Sequence, residues 1–341
     1  MNRYDLHMPA EWVLHERTWM EWPVKDSLVW AENYEEVCEG YAETARAIGE
    51  FEPLSMIVNP DTAAEAERLC GTANIEYITI PHDDAWCRDN GSTIVFHADG
   101  TRIGINWKFN AWGGKYPNCA KDDLVAASLL EYYAIPKIDA SIVLEGGSIH
   151  TDGQGTLLTT KECLLHPNRN PNLGQAEIES VLTKLLGVRK IIWLNHGLFG
   201  DETDGHIDNV ACFAMPGVIL MQVCDDPSDP NYAITQENRA VLANATDAEG
   251  RAIRLIEIPQ PPARYYQGER LTLSYLNFYF VNGGIILPIF GCDAKDADAR
   301  TIAILTEVFP DRRIKTVDGM KLIKEGGNVH CITQQMPSVI Q

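Results

Sequence analysis

Apolar positions recur along the chain with two spacings, and the switching between them predicts a mixed α/β protein. Apolar residues at helical spacing predict helices over residues 32–49, 120–133, 174–186, 233–245 and 295–308. A shorter helix is predicted to begin after Asp61, as its N-terminal cap, and to end at Cys70. Short runs of apolar and β-branched residues predict strands over residues 53–58, 75–80, 92–96, 102–107, 148–151, 156–160, 190–194, 206–214, 218–223, 253–258, 276–281, 285–290 and 328–333.

The predicted elements repeat in one order, which is a β-hairpin, a helix and then a single strand. The hairpins turn at glycine-containing segments, at residues 98–100, 152–155, 216–217 and 282–284. About five such units follow one another at intervals of roughly 50 to 70 residues. Because an open array would expose sheet edges, we expect the units to close into a ring whose equivalent turns face a central pocket.

Two nearly identical segments support this repeat, Glu-Gly-Gly-Ser-Ile-His at 145–150 and Glu-Gly-Gly-Asn-Val-His at 325–330. No low-complexity stretch or linker interrupts the chain, so residues 1–341 are predicted to form a single domain. Near the N-terminus, Trp12, Trp19 and Trp22 either wall a pocket or belong to a packed strand.

The composition limits the kinds of partner and ligand that the protein can bind. Its 48 acidic and 28 basic residues give a formal net charge of −20, which repels nucleic acid and anionic membranes and favours a small cationic ligand. The first residues contain no apolar signal region and no run reaches the length of a membrane span, so we expect a cytoplasmic protein. Nine irregularly spaced cysteines without a CxxC pair predict reduced thiols, and neither a disulfide framework nor a structural zinc site.

Cys331 is the candidate nucleophile. It follows the pair Gly326-Gly327 and His330, at the predicted entrance of a strand whose neighbours would hold the thiol still. The thiolate is the reactive form, so the site must lower the pKa of the thiol or supply a base. The alternative is that Cys331 is a small buried apolar residue, as most unpaired cysteines are.

His206 is the candidate general acid and base, because histidine exchanges protons near neutral pH. Asp208 lies two residues later, on the same face of the predicted strand. Glu145 precedes a glycine pair and is expected to orient the imidazole, and Asp89 holds the matching place in an earlier unit. Alternatives remain for each group: His206 as a surface or metal-binding histidine, and Asp89 as a turn residue paired with Arg88.

Several carboxylates around one thiol suit a substrate that is itself a cation. A guanidinium group is planar, always charged and able to donate two hydrogen bonds to one carboxylate. The residues therefore favour a guanidinium substrate, and we expect the bound cation to help Cys331 ionise.

Five motifs, in order over nearly the whole chain, resemble those of the agmatine deiminase family: Glu-Arg-Thr-Trp-Met at 16–20, Trp86 with Arg-Asp-Asn-Gly at 88–91, Asn-Arg-Asn-Pro at 168–171, Gly-Asp-Glu-Thr-Asp-Gly-His-Ile-Asp at 200–208, and Gly-Asn-Val-His-Cys-Ile-Thr-Gln-Gln at 327–335. The resemblance implies the pentein fold of the guanidino-group-modifying enzymes, a five-bladed α/β propeller of pseudo-repeated ββαβ units. It also implies hydrolysis of agmatine to N-carbamoylputrescine and ammonia without a cofactor, and it allows a homo-oligomer.

The resemblance also implies a role for each site residue. Cys331 matches the nucleophile that forms a covalent amidino intermediate, His206 the general acid and base, and Glu145 its carboxylate partner. Asp89 and Asp208 match the pair that grips the guanidinium. The remaining substrate-binding positions are Glu202 near the free amine, Trp86 and Trp112 as pocket walls, and Gly327.

One departure and three rival functions remain. Ser92 stands where the family usually has proline, which is expected to loosen the turn that carries Asp89. The nearest rival is a deiminase that acts on arginine in peptides. The others are a metal-dependent hydrolase using His196, His206 and Asp208, and a catalytically silent binding protein.

Overall fold

Apart from one two-stranded hairpin, the strands fall into five sheets of three or four strands each, within the residues that the structure, a computed structural model, describes: 5–339 without 26, 28, 30 and 31. In chain order the strands are β1 (Leu6–His7), β2 (His15–Glu21), β3 (Leu54–Val58), β4 (Ile75–Thr79), β5 (Thr93–His97), β6 (Arg102–Lys108), β7 (Lys137–Val143), β8 (Ile149–Thr151), β9 (Thr156–Thr160), β10 (Lys190–Leu194), β11 (Ala211–Met215), β12 (Val218–Val223), β13 (Arg254–Pro259), β14 (Tyr265–Tyr266), β15 (Glu269–Arg270), β16 (Tyr279–Val281), β17 (Gly284–Ile289), β18 (Arg313–Asp318) and β19 (Thr333–Pro337). The helices are α1 (Tyr34–Gly49), α2 (Ala63–Cys70), α3 (Cys87–Asn90), α4 (Ala111–Gly114), α5 (Asp122–Tyr132), α6 (Lys161–Leu164), α7 (Gln175–Leu186), α8 (Asn231–Ala243) and α9 (Lys295–Val308).

Every sheet contains the same unit, an antiparallel pair of strands followed by a helix and a parallel strand. The units are β5–β6–α5–β7, β8–β9–α7–β10, β11–β12–α8–β13, β16–β17–α9–β18 and, across the two ends of the chain, β19–β2–α1–β3. Strands β1 and β4 extend two of the sheets, and β14–β15 form a separate small hairpin. The predicted five-bladed α/β propeller of ββαβ units is therefore confirmed.

The ring is closed by pairing the two ends of the chain. Strand β19 runs antiparallel to β2, with Thr333 opposite Met20. Glu52 ties this closure to the unit that contains β16 and β17. Its buried carboxylate accepts hydrogen bonds from the Thr18 hydroxyl at 2.5 Å and from the backbone amide of Asn282, between β16 and β17, at 2.7 Å. The His15 ring also lies 2.9 Å from it. One buried carboxylate thus links three segments that are distant in sequence.

The strands that were predicted to carry the site residues are shorter than expected. His206 is extended but leads into a 3₁₀ turn at Ile207–Asn209, and the strand begins only at Ala211. Likewise Cys331 lies in a turn, and β19 begins at Thr333. The physical reason at Cys331 is that the amides of residues 330 and 331 bond to Asn277 instead of a neighbouring strand.

Three other details correct or complete the local predictions. Helix α2 is capped by Thr62, so the assignment of Asp61 as the cap is wrong. The polar turn before β5 contains the one-turn helix α3. Trp19 and Trp22 are completely buried in and just after β2, so the packed-strand interpretation of the N-terminal tryptophans is the correct one for them. No helix in the described part of the chain is long and apolar enough to cross a bilayer.

Replacing Glu52 with alanine should lower the free energy of unfolding by about 3 kcal/mol, because buried donors on Thr18 and Asn282 lose their acceptor. The measurement is urea unfolding followed by circular dichroism. The matched control is Glu50→Ala, two residues away, whose carboxylate pairs with Arg313 and Lys315 at the surface. Equal losses for the two variants would contradict the role assigned to Glu52.

Candidate active site

Each of the five units contributes one loop to a common centre, and each loop lies just before the first strand of its unit. The side chains they deliver are Asp89, Glu145, His206 with Asp208, Asn277 and Cys331, all two to five residues ahead of that strand. The expected meeting of equivalent turns is therefore observed. Of the sequence-predicted groups, Asp89, Glu145, His206, Asp208 and Cys331 are all brought together.

Cys331 lies at the bottom of this centre, only 3% exposed, and lines a narrow pocket. Its sulfur accepts a hydrogen bond from the Asn277 side-chain amide at 3.2 Å and donates one to Asp208 Oδ2 at 3.5 Å. The pKa of the Cys331 thiol is raised well above its ordinary value by burial and by the charges of Asp208 and Asp89. The empty site therefore holds a neutral thiol at neutral pH.

Gly147 marks the point where three functional side chains converge. A Cβ atom there would lie 2.6 Å from His206 Nδ1, 2.9 Å from Asp208 Oδ2 and 3.0 Å from Asp89 Oδ1. The Gly147 amide donates to Asp89 Oδ1 at 3.0 Å, and the Trp112 indole donates to Asp89 Oδ2 at 2.8 Å. Absence of a side chain at Gly147 thus allows an imidazole and two carboxylates to share one small space.

His206 is completely buried between two carboxylates. Its Nδ1 lies 3.8 Å from Asp89 Oδ1, and its Nε2 lies 3.9 Å from Glu145 Oε2. Burial acts to lower the pKa of His206, but Asp89, Cys163 and Glu145 together raise it well above the ordinary value. The imidazole is therefore protonated at neutral pH and can act as an acid first.

Glu145 is held by a buried arginine. Arg169 Nε donates to Glu145 Oε1 at 2.6 Å, and its Nη1 donates to Asp204 at 2.6 Å. Burial would raise the pKa of Glu145, but His206 and Arg169 outweigh burial and lower it. Glu145 is thus an ionised carboxylate with a fixed orientation.

Four buried polar atoms at the centre have no hydrogen-bond partner among the residues that the structure describes. They are Asp208 Oδ1, Glu145 Oε2 and both ring nitrogens of His206. Unpaired buried polar atoms are costly, and their concentration in one place is typical of a site that awaits a polar ligand.

Trp86 and Trp112 form the walls of the pocket above Cys331, with ring centroids 6.2 Å apart at a right angle. Ala111 and Trp112 both have a φ of 52°, in the left-handed region, which costs energy for residues with a side chain. This backbone places the Trp112 indole on Asp89. Gly327 lies against the other wall, since a Cβ there would come 2.2 Å from the Trp86 ring.

Two carboxylates stand at the mouth of the pocket. Glu202 accepts a hydrogen bond from the Tyr116 hydroxyl at 2.5 Å, and Glu325 lines the same opening. Burial and the neighbouring charge of Glu202 raise the pKa of Glu325 to about 7. Both residues also border a wider basin of about 730 Å³, so the pocket opens outward between acidic groups.

The turn that carries Asp89 is not loosened by Ser92. The Ser92 hydroxyl is fully buried and donates to the Ile105 carbonyl at 3.0 Å, while Gln334 donates to the Ser92 carbonyl at 2.9 Å. These bonds tie the turn to strands β6 and β19 in place of the restraint that proline would supply.

The acidic groups do not form the metal site that the rival function requires. Within the described residues, the metal-ligating atoms that lie within 4.8 Å of one another belong to Glu145, Cys163 and His206, and His196 is not among them. His196 is half exposed and lies near Glu162 and Glu237. Because the fixed charge of Arg169 opposes a cation beside Glu145, we assign no metal ligand here.

Sequence reasoning missed several residues of this centre. Asn277 carries no local signal, because it precedes an ordinary strand and acts only through the ring. Arg169 lies in the Asn-Arg-Asn-Pro motif, and a buried arginine in a chain rich in acidic residues would have pointed to a carboxylate partner. Gly147 was noted only as part of a repeated glycine pair.

Comparison with known proteins places these residues in a family context. The chain matches the family model for Porphyromonas-type peptidyl-arginine deiminase over residues 7–337. It is 46% identical to a provisionally named agmatine deiminase of Legionella pneumophila (strain Philadelphia 1), over 98% of this chain and 96% of that one. The agmatine deiminase of Pseudomonas aeruginosa (strain LESB58) is 44% identical, over 97% and 95% of the two chains. The solved agmatine deiminase of Enterococcus faecalis superposes with a TM-score of 0.93 at 34% identity, covering 98% and 97%.

Replacing Asp208 with asparagine should lower the pKa of the Cys331 thiol, because a like charge that opposes thiolate formation is removed. A shift of one pKa unit or more would make iodoacetamide alkylate Cys331 about tenfold faster at neutral pH. Mass spectrometry of the Cys331 peptide measures the rate, and the exposed Cys292 in the same molecules is the internal control. An unchanged or slower rate at Cys331 would show that Asp208 does not hold the thiol neutral.

Proposed function

Because the chain belongs to the family of Porphyromonas-type peptidyl-arginine deiminases, we propose that Cys331 attacks a guanidinium group held between Asp89 and Asp208. The enzyme is an agmatine deiminase: it hydrolyses agmatine to N-carbamoylputrescine and ammonia. The family resemblance of the sequence motifs is confirmed by these relatives. The product is one hydrolysis away from putrescine, which gives the reaction a place in polyamine biosynthesis.

The observation that carries the proposed site is the convergence of two buried carboxylates, Asp89 and Asp208, beside one buried thiol. Asp89 and Asp208 approach the same point from loops of different units, and among the described residues Asp208 Oδ1 has no hydrogen-bond partner. Burial together with Asp208 and Glu145 raises the pKa of Asp89, so the two carboxylates repel each other in the empty site. A planar guanidinium relieves this repulsion and supplies the missing donors.

The first half of the reaction forms a bond and releases ammonia. Binding of the cation lowers the pKa of the Cys331 thiol, which releases its proton to solvent, and the thiolate attacks the central guanidine carbon. His206 gives its proton to the departing nitrogen. The carbon–nitrogen bond breaks, ammonia leaves, and a thiouronium remains attached to Cys331.

The second half is hydrolysis of that intermediate. His206 is now neutral and takes a proton from a water molecule, whose oxygen attacks the thiouronium carbon. The carbon–sulfur bond breaks, the second proton of that water passes to the departing sulfur and restores the neutral Cys331 thiol, and N-carbamoylputrescine leaves. Glu145 keeps the imidazole oriented and stabilises its charged form in both halves. These steps need a nucleophile, an acid–base group and water, so the proposed mechanism uses no metal or organic cofactor.

The mouth of the pocket favours agmatine over substrates with a carboxylate. Glu202 and Glu325 stand where the primary ammonium of agmatine would emerge, and no arginine or lysine is found among the described residues that line the pocket. An ammonium placed between the two would lower the pKa of Glu325 and offset part of their combined negative charge. Free arginine would instead bring its carboxylate against this acidic opening. Expectations of a homo-oligomer and a cytoplasmic location remain predictions.

Wild-type protein should release ammonia from agmatine, and Cys331→Ala should release none, because the covalent step is lost. The measurement is ammonia release coupled to detection of N-carbamoylputrescine. The matched control, Cys292→Ala, alters a cysteine that is exposed and should leave the rate unchanged.

Two results would favour a rival function, and a third would overturn the proposed nucleophile. A rate with a peptide containing internal arginine that exceeds the rate with agmatine would favour the peptide-deiminase alternative. Activity abolished by a chelator but resistant to iodoacetamide would favour the metal-dependent hydrolase. Ammonia release by Cys331→Ala at the wild-type rate would overturn the assignment of the nucleophile.

A further inference from the structure

A buried chain of charged groups lies behind Asp208, on the side away from the pocket. His330 Nδ1 lies 2.9 Å from Asp208 Oδ2, and His330 Nε2 lies 3.0 Å from both carboxylate oxygens of Glu11. All three residues are almost completely buried. Glu11 precedes strand β2, so this chain connects the N-terminal segment to the residue next to Cys331.

The hydrogen-bond geometry fixes the charge of His330. An ionised carboxylate can only accept hydrogen bonds, and each ring nitrogen of His330 faces one. With Asp208 and Glu11 both ionised, each ring nitrogen carries a proton, and His330 is an imidazolium between the two carboxylates.

Two further groups face this cluster. Arg88 Nη1 donates to Glu11 at 3.2 Å, and its Nε donates to the His330 carbonyl at 3.3 Å. His150 Nε2 lies 3.6 Å from Glu11, while its Nδ1 accepts the Phe213 amide at 3.2 Å, so His150 is the neutral tautomer. Glu11 thus compensates two cations at once.

We propose that His330 is a positioning residue for deimination, holding Asp208 ionised and aimed at the guanidinium, and that Glu11 keeps His330 charged. The inference rests on the proposed function of the site. Neither residue touches the substrate, since both lie behind Asp208.

The titration of the cluster agrees with this arrangement. Burial acts to raise the pKa of Asp208, but its hydrogen bond with His330 and the His330 charge dominate and lower it. Burial and Arg88 act to lower the pKa of His330, but Glu11 and Asp208 raise it. Burial acts to raise the pKa of Glu11, but His330 and Arg88 hold it well below the usual range. The His330 charge is therefore lost only as pH rises through its raised pKa.

The variant His330→Asn tests the charge of His330 separately from its hydrogen bond to Asp208. The asparagine amide can still donate to Asp208, but it carries no charge, so the pKa of Asp208 should rise. Agmatine binding is measured by calorimetry in a Cys331→Ser background, where the covalent step cannot occur, at pH 5 and pH 8. We expect the dissociation constant at pH 5, divided by the one at pH 8, to be about threefold or more larger in His330→Asn than in the protein that retains His330. The reason is that protonated Asp208 cannot bind the cation. The side chain at position 331, His206 and Asp89 also face Asp208, and they are the same in the two proteins that are compared.

The matched control is His150→Gln. It replaces one neutral neighbour of Glu11 by another, in the same buried cluster but without contact to Asp208. If His330 only stabilised the fold, His330→Asn and His150→Gln would change agmatine binding similarly. If His330 positions Asp208, His150→Gln leaves the ratio of the dissociation constants at pH 5 and pH 8 unchanged.

Glu11→Gln provides a second and independent measurement. Nitrogen-15 shifts of labelled histidine report which ring nitrogens carry protons, and the His330 signal is identified by its correlation to the backbone resonances of His330. We expect His330 to become neutral at lower pH in Glu11→Gln than in the wild type, by about one pH unit or more. This result remains available even if His330→Asn does not fold.

The outcomes separate the two proposals. A wild-type protein without activity on agmatine would overturn the proposed function. An active wild type would overturn only the present inference if Glu11→Gln left the His330 titration unchanged, or if His330→Asn bound agmatine with the wild-type pH ratio.

Discussion

Repulsion among buried carboxylates is the constraint on which the rest of this structure depends. Asp89, Glu145 and Asp208 surround His206 and Cys331 at the centre of a ring, where little water can screen them. Such an arrangement is stable only if each negative charge has a compensating group. Buried cations on the side away from the pocket supply that compensation, and the side that faces the pocket is left to a cationic ligand.

Fixed cations stand behind the carboxylates. Arg169 holds Glu145, and His330 holds Asp208, with Glu11 and Arg88 behind it. The protonated His206 contributes a further charge that can be given up during the reaction. The five-unit ring makes this possible, because equivalent loops deliver one or two groups each to a shared centre, and the pairing of β19 with β2 closes the circle. In the proposed function, this site is preorganised for a flat cation, and the thiol reacts only when that cation is bound.

Much of the fold and most of the side chains that converge at the candidate site could be predicted from the sequence. Hairpin, helix and strand spacing gave five units, and the turns that precede each hairpin pointed to Asp89, Glu145, His206 and Cys331. Local patterns failed where tertiary bonds replace strand pairing, as at Cys331, whose amide bonds to Asn277. They also could not show Glu11 near His330, since those residues are 319 positions apart and meet only through ring closure.

The most direct measurement of the central claim is the pKa of the Cys331 thiol with and without a non-hydrolysable guanidine analogue of agmatine. Thiolate absorbance is followed against pH, and the same titration of Cys331→Ala subtracts the other cysteines. The account predicts a thiol pKa well above the ordinary value in the empty enzyme, and a clearly lower one when the analogue is bound. A thiol pKa that the bound analogue leaves unchanged would contradict it.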